Sequence, residues 1–239
     1  MPTDATASTS TSTAAGQKRR TPRQVAREAN LTRIKDLALE QLATDGAAGL
    51  SLRAIARELN LVSSAIYRYY PSRDDLVTDL VIDAYRDLAA ALTEATGGRT
   101  GRDAWVEVCQ RLRVWALAEP HRYLLVYGSP IPGYEAPQTT VEPAAAVMRA
   151  LMRPAWSASG QDLGAPIPPR LADELDAIAS ALGEAGAERA TALRLVGAVA
   201  KVHGLVMLEV NGQFVGGFEP ADQLFRAAVE DEAERLGLV

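Results

Sequence analysis

Nowhere in this sequence do apolar and polar residues alternate over the length of a strand, while apolar residues return every three or four positions from Leu31 to Leu236. That period is the helical one and is the primary local signal. Alanine and leucine dominate, so intrinsic propensity agrees with the period. An all-α fold is expected. At 239 residues with 48% hydrophobic side chains, the chain has material for one large domain or two ordinary ones, each with a buried core.

Several classes drop out on composition. The single cysteine, Cys109, excludes an internal disulfide and a Cys-built metal cluster, and suits a reducing cytoplasm. Only His121 and His203 offer imidazoles, so neither a metal site nor a cofactor is expected. No unbroken apolar run approaches the ~18 residues of a membrane span. Residues 1–16 are Ser/Thr/Ala repeats without core-forming side chains or the pattern of a secretory signal. They read as a disordered tail, and the expected setting is cytoplasmic.

Charge is unevenly spread. Residues 1–73 carry eleven Lys/Arg against six Asp/Glu, whereas residues 74–239 carry fourteen against twenty-four. An acidic protein with a basic N-terminal third suits a nucleic-acid binder with a separate body, or else a solvated gradient with no partner. The basic run Lys18-Arg19-Arg20, with Arg23 and Arg27, adds weight to the first reading.

The first helix is expected from about Gln24 to Asp45, stopped at Gly46. A short helix follows from the N-cap Ser51, with Leu52, Ile55, Ala56 and Leu59 inward. Asn60 stands where a left-handed residue ends a helix. Ser63 is the next N-cap candidate, opening a third short helix through Tyr70. Pro71 breaks the chain, and Ser72 with Asp75 forms a capping box for a fourth helix that runs to Gly97. Further helices are expected at Arg102–Ala118, Thr139–Ser157 with interruptions at Pro143 and Pro154, and about 170–183, 188–211 and 220–236. Gly128–Pro137 and residues 158–169 read as loops.

Two short helices joined by a tight turn and braced by a longer one match a helix-turn-helix, although amphipathic helix pairs occur in any all-α protein. A short second helix fits a major groove about 12 Å wide, and small residues at its start let it approach base edges. The stretch LSLRAIARELNLVSSAIYRYYPSRDDLVTDLV resembles the signature of the TetR family of bacterial transcriptional regulators. The matches are Ile55-Ala56, Leu59, Leu61, Ile66, Tyr67, Tyr70, Arg73 and Leu76, within residues 31–82. Asn60 replaces the family's usual Gly, and Tyr69 a common His.

The resemblance implies a double-stranded DNA operator as partner. It places Arg53 against a base or phosphate, and Ser63, Ser64 and Ala65 at the base-facing start of the recognition helix. Tyr67, Tyr69 and Arg73 fall at phosphate-contacting positions, and Ser51 acts as both N-cap and phosphate donor. Each has a plainer reading as well: Tyr67 and Tyr69 as packing residues, Arg53 as a solvated arginine, Tyr70 as core. The implied division is residues 1–22 as a tail with a basic arm, 23–72 as the DNA-binding domain and 73–239 as a helical regulatory and dimerisation domain.

The C-terminal part resembles a subgroup of these regulators with a His-Gly-Leu element, here His203-Gly204-Leu205, without the tryptophan that usually precedes it. Ala190, Leu193, Gly197, Ala200, Gly204, Met207 and Leu208 form one apolar face rich in small residues. With Leu224, Phe225, Ala228, Val229 and Leu236 they suit a four-helix homodimer interface or the monomer's own core. A palindromic DNA site favours the dimer. Trp105, Cys109, Trp115, Tyr127, Met148, Met152 and His203 gather large adaptable side chains, as a mostly apolar effector pocket does and as a filled core does.

No phosphate-binding glycine loop, G-x-S-x-G or H-E-x-x-H is present, so no enzyme is expected. The acidic groups Asp74-Asp75 and Asp173-Glu174-Asp176 read as helix-start charges. The expectation is a homodimeric repressor released by a small molecule; the alternative is a DNA-binding regulator governed by a protein partner.

Overall fold

A computed structural model describes residues 21–156 and 166–238. Ten α-helices and no strand occur among them: α1 Pro22–Gly49, α2 Leu52–Glu58, α3 Ser63–Ile66, α4 Arg73–Thr96, α5 Arg102–Ala118, α6 Pro120–Tyr127, α7 Val141–Met152, α8 Pro169–Ala181, α9 Arg189–Val210 and α10 Asp222–Arg235. Short 3-10 turns, Gln138–Thr140 and Arg153–Ala155, flank α7. The all-α expectation holds. The expected tail and most of its basic arm lie outside the described residues, as does most of the expected loop at 158–169.

Local chemistry explains the boundaries. Thr21 and Gln24 form a capping box that starts α1 two residues before the expected position. Gly46, at φ 67°, bends the chain there. Asn60 adopts the left-handed conformation at φ 54°, and the Ser72–Asp75 box opens α4. Pro143 does not interrupt α7, because it lies in the first turn where a missing N–H costs nothing. The helix α6 was not foreseen; Pro120 starts it at the position that proline favours. Asp173, Glu174 and Asp176 lie beyond the first turn of α8, where Glu174 meets Arg170 and Asp176 meets Arg189.

Two cores share α4. Leu76, Val77, Leu80 and Val81 pack with Ile34, Leu52, Ile55, Ile66 and Tyr70. Three residues on, Ala84, Leu88 and Leu92 belong to the larger core with Trp105, Leu112, Leu195 and Phe225. The helix pair and the body are therefore joined by one rigid element, with the junction inside α4 near Val81–Ala84.

One helix, Arg189–Val210, is long and apolar enough to cross a membrane by length and composition, with a mean hydropathy of 1.5 over its best window. Counting unbroken apolar runs missed it because polar residues interrupt the sequence without lowering the average. One side of this helix, through Leu195, Val199, Val202 and Val206, fills the core. Its other side is also apolar, and Gly197, Ala200, Gly204 and Leu208 are exposed.

Candidate functional site

The helix pair is held from within. Ser51 accepts the backbone N–H of Ala54 and so caps α2, a contact worth about 1 kcal/mol. Leu52, Ile55 and Ala56 face inward, which leaves Arg53 exposed with no partner among the described residues. At α3 the cap differs from expectation. Val62, in extended backbone, takes the N-cap position without a side-chain bond, and Ser63 begins the helix. Ser63 and Ser64 are exposed, and their hydroxyls make no bond to described residues.

The regular part of α3 is only four residues long, shorter than the stretch to Tyr70 that the spacing predicts. The chain continues as tight turns, with Arg68 N–H donating to Ala65 and both Tyr69 and Tyr70 N–H donating to Ile66. Tyr70 is core: its hydroxyl donates to Asp79 at 2.6 Å. Burial, reinforced by that carboxylate, holds its pKa well above the phenol range.

The outer tyrosines separate in role. Tyr67 is 40% exposed, and its hydroxyl makes no hydrogen bond to the described residues. Tyr69 packs on α1, accepting Asn30 Nδ2 at 2.9 Å with the Arg27 guanidinium 5.4 Å from its ring centroid. Arg73 is not a free cation. One guanidinium nitrogen donates to the Ala47 carbonyl at the end of α1, and the other meets Asp74 at 3.5 Å.

The structure adds Asn30 and Arg68 to the residues singled out in the sequence. A cleft of about 310 Å³ beside α3 is lined by Arg23, Arg27, Asn30, Ala65, Arg68 and Tyr69 among others. Its three arginines have no carboxylate partner among the described residues. Arg68 stands between two tyrosines already singled out; a count of unpaired cations around the helix pair is the signal that finds it. With the exposed Arg53 of α2, these arginines make the region of the helix pair rich in unpaired positive charge among the described residues, which suits phosphate contacts.

In the body, four of the seven residues grouped as a pocket pack inside the larger core. Trp105, Cys109 and Met152 are fully buried, and Trp115 nearly so. The indole N–H of Trp105 donates to the Val229 carbonyl, and that of Trp115 to Asp87. Burial pushes the Cys109 thiol pKa well up, which keeps it protonated. Met148 packs half-buried on the same core.

Tyr127 and His203 belong to an aromatic cluster with Tyr85 and Tyr123, their own centroids 4.4 Å apart. His203 Nδ1 lies 2.9 Å from the Tyr123 hydroxyl, while Nε2 is buried without a hydrogen-bond partner. Burial lowers its pKa to about 4, so the ring is neutral near pH 7. A separate cleft of about 760 Å³ lies between α4 and α7, lined by Ala89, Thr93, Ala146, Arg149, Arg153 and Trp156 among others. No group of His, Cys, Asp and Glu among the described residues suits a metal ion.

Residues 34–80 match the family model for bacterial regulatory proteins of the tetR family, and residues 105–231 match a tetracyclin repressor-like C-terminal domain. The HTH-type transcriptional regulators Rv1816 of Mycobacterium tuberculosis and Mb1846 of Mycobacterium bovis are each 50% identical over 119 residues, 48% of this chain. The chain spans about half the length of these curated relatives. A candidate regulatory protein of known crystal structure, SCO4313, is 36% identical, with a TM-score of 0.74 over 89% of this chain and 98% of its own. A tetR-family protein from Shewanella sp. PV-4, 17% identical with a TM-score of 0.58 over 88% and 98% of the two chains, shares the fold.

Proposed function

Since the chain belongs to the TetR family of bacterial regulatory proteins, we propose that it is a cytoplasmic transcriptional repressor, a homodimer that grips a palindromic operator and is released by a small, mostly apolar ligand. The observation that carries this reading is the unpaired positive charge in the region of the helix pair. In a chain of net charge −5, Arg23, Arg27, Arg53 and Arg68 of α1, the helix pair and its turn stand without carboxylate partners among the described residues, and Ser63 and Ser64 of α3 are exposed. Within this region, Arg53, Ser63, Ser64 and Ala65 face bases, while Ser51 and Tyr67 hold phosphates. Tyr69 and Arg73 shape the surface more than they touch DNA, because α1 already engages both side chains.

Residues 23–72 read DNA and residues 73–239 regulate, with the first turns of α4 serving both. Dimerisation uses the exposed face of α9. A Cβ built on Gly197 or Gly204 meets nothing within 4 Å, so this side is open to a second helix. Phe225, Val229 and Leu236 are buried in the monomer's core, which corrects their expected place in the interface and leaves Leu224, Ala227 and Ala228 as the outward face of α10. The exposed Val215 and Phe218 of the α9–α10 turn extend the same apolar region.

The unpartnered Nε2 of His203, within the His-Gly-Leu element, suits the hydrogen-bonding group of an otherwise apolar effector. No catalytic role is assigned. The closed packing of Trp105, Cys109 and Met152 favours the second reading, control by a protein partner. Native mass spectrometry of the purified protein tests both points. A dimer carrying a small adduct, or shifted in thermal midpoint by added small molecules, supports the ligand-controlled reading. A dimer that takes up no small molecule favours the partner, and a monomer contradicts the proposal.

A further inference from the structure

Asp75, Asp79, Asp83 and Asp87 recur every four residues along α4 and so lie on one stripe. Like charges at this spacing repel by a few tenths of a kcal/mol per pair unless cations intervene. Here cations and donors from three other helices intervene along the stripe. Lys35 of α1 bridges Asp79 at 2.8 Å and Asp83 at 2.6 Å. Arg122 of α6 donates one nitrogen to Asp87 at 2.9 Å and the other to the Asp83 carbonyl at 3.4 Å. The indole of Trp115 in α5 also donates to Asp87, at 3.0 Å. At the other end, Asp79 accepts the hydroxyl of Tyr70, the residue that anchors the turn following α3.

Burial works against the charge on Lys35, but its two carboxylates outweigh that and raise its pKa. Lys35 and Arg122 are the more buried partners in their pairs, at 23% and 17% exposed, so neither geometry is a loose surface contact. A cavity of about 350 Å³, lined by Lys35, Asp83 and Arg122 with Leu39 and Leu80, lies beside the stripe and gives these side chains room to re-pair.

We propose that Arg122 is a positioning residue for operator recognition, anchored on Asp87 and acting through the Asp83 backbone and the Asp83–Lys35–Asp79–Tyr70 chain to fix how the turn after α3 is held. This rests on the reading of the helix pair as the operator-binding surface. The polar chain runs from the middle of the regulatory body to Tyr70 beside the recognition element, and because Arg122 holds the Asp83 backbone, a shift of α6 moves one of the two residues that Lys35 bridges. Coupling of this kind is established by non-additivity.

The test uses full-length protein and an operator selected by the wild type from random-sequence DNA. Arg122→Gln is compared with Arg86→Gln, which removes the same charge from an exposed residue of α4 with no described partner. Arg122→Gln is expected to weaken operator binding about tenfold relative to Arg86→Gln, while non-specific DNA is bound equally by both. Combined with Lys35→Gln, its effect is expected to be less than multiplicative. Should Arg122→Gln fail to fold by circular dichroism, Arg122→Lys, which keeps the Asp87 pair and loses the second donor, is expected to show a smaller loss of the same kind. Operator affinity equal to that of Arg86→Gln, or a fully multiplicative double variant, overturns the proposal while the operator reading stands. A wild type that selects no operator overturns both.

Discussion

Arg113 of α5 and Glu209 of α9 meet through two parallel hydrogen bonds, 2.7 Å from Nε and 2.6 Å from Nη2, with both side chains largely withdrawn from water. The same guanidinium lies 5.6 Å from the Phe225 ring centroid of α10, so three helices converge on one charge. Removing one partner strands the other. Arg113→Met is therefore expected to destabilise the protein by about 3 kcal/mol, and the double variant with Glu209→Leu by much less. Urea denaturation checks it; a loss under 1 kcal/mol for the single variant contradicts the account.

His203 gives a pH dependence with a definite sign. Its pKa is about 4 in the folded chain and 6.5 in the unfolded reference. Both states are neutral above pH 6.5. Below it the unfolded chain takes up a proton that the folded chain refuses, so stability falls as pH drops toward 4, by about 3 kcal/mol for this group. His203→Gln removes the dependence. The stability gap between wild type and variant is expected to narrow or invert from pH 7 to pH 4; a constant gap contradicts the assignment.

On the DNA-facing side, Arg53→Ala is expected to relax preference at particular base pairs, by about 1–3 kcal/mol of discrimination. Tyr67→Phe should weaken all sequences alike. Arg73→Ala is expected to lower the thermal midpoint more than it alters the salt slope, because its guanidinium ties α1 to α4. Anisotropy titrations over a salt series separate the three. A slope reduced by about one unit for Arg73→Ala returns it to the phosphate contacts.

The open side of α9 makes Gly204→Leu a clean test of dimerisation. A Cβ built there meets nothing within 4 Å in the monomer, so folding should persist while sedimentation shifts toward the monomer. An unchanged dimer moves the interface elsewhere.

What was legible in the sequence was what neighbouring residues decide. The Ser51 cap, the left-handed Asn60 and the Ser72–Asp75 box all follow from side chains acting on backbone within three positions. The helical period likewise exposed the inward faces of α2 and α4. The rest depends on distant partners. Arg113 and Glu209 are 96 residues apart, and Lys35 and Asp83 are 48 apart. No spacing announces such pairs. Arg73 illustrates the difference: its place in the motif suggested DNA, but only the fold shows the Ala47 carbonyl within its reach. Trp105 and Cys109 show it too, since an aromatic-rich segment reads the same whether it lines a pocket or fills a core.

The central claim is that two copies of this chain read DNA through the exposed start of α3. The most direct measurement is to let the wild-type protein select from a pool of random-sequence duplexes and to sequence what it retains. The expected result is an inverted repeat whose half-sites are centred one helical turn, about 10 base pairs, or a multiple of it apart. Enrichment of no sequence, or of a single unrepeated half-site, would contradict it.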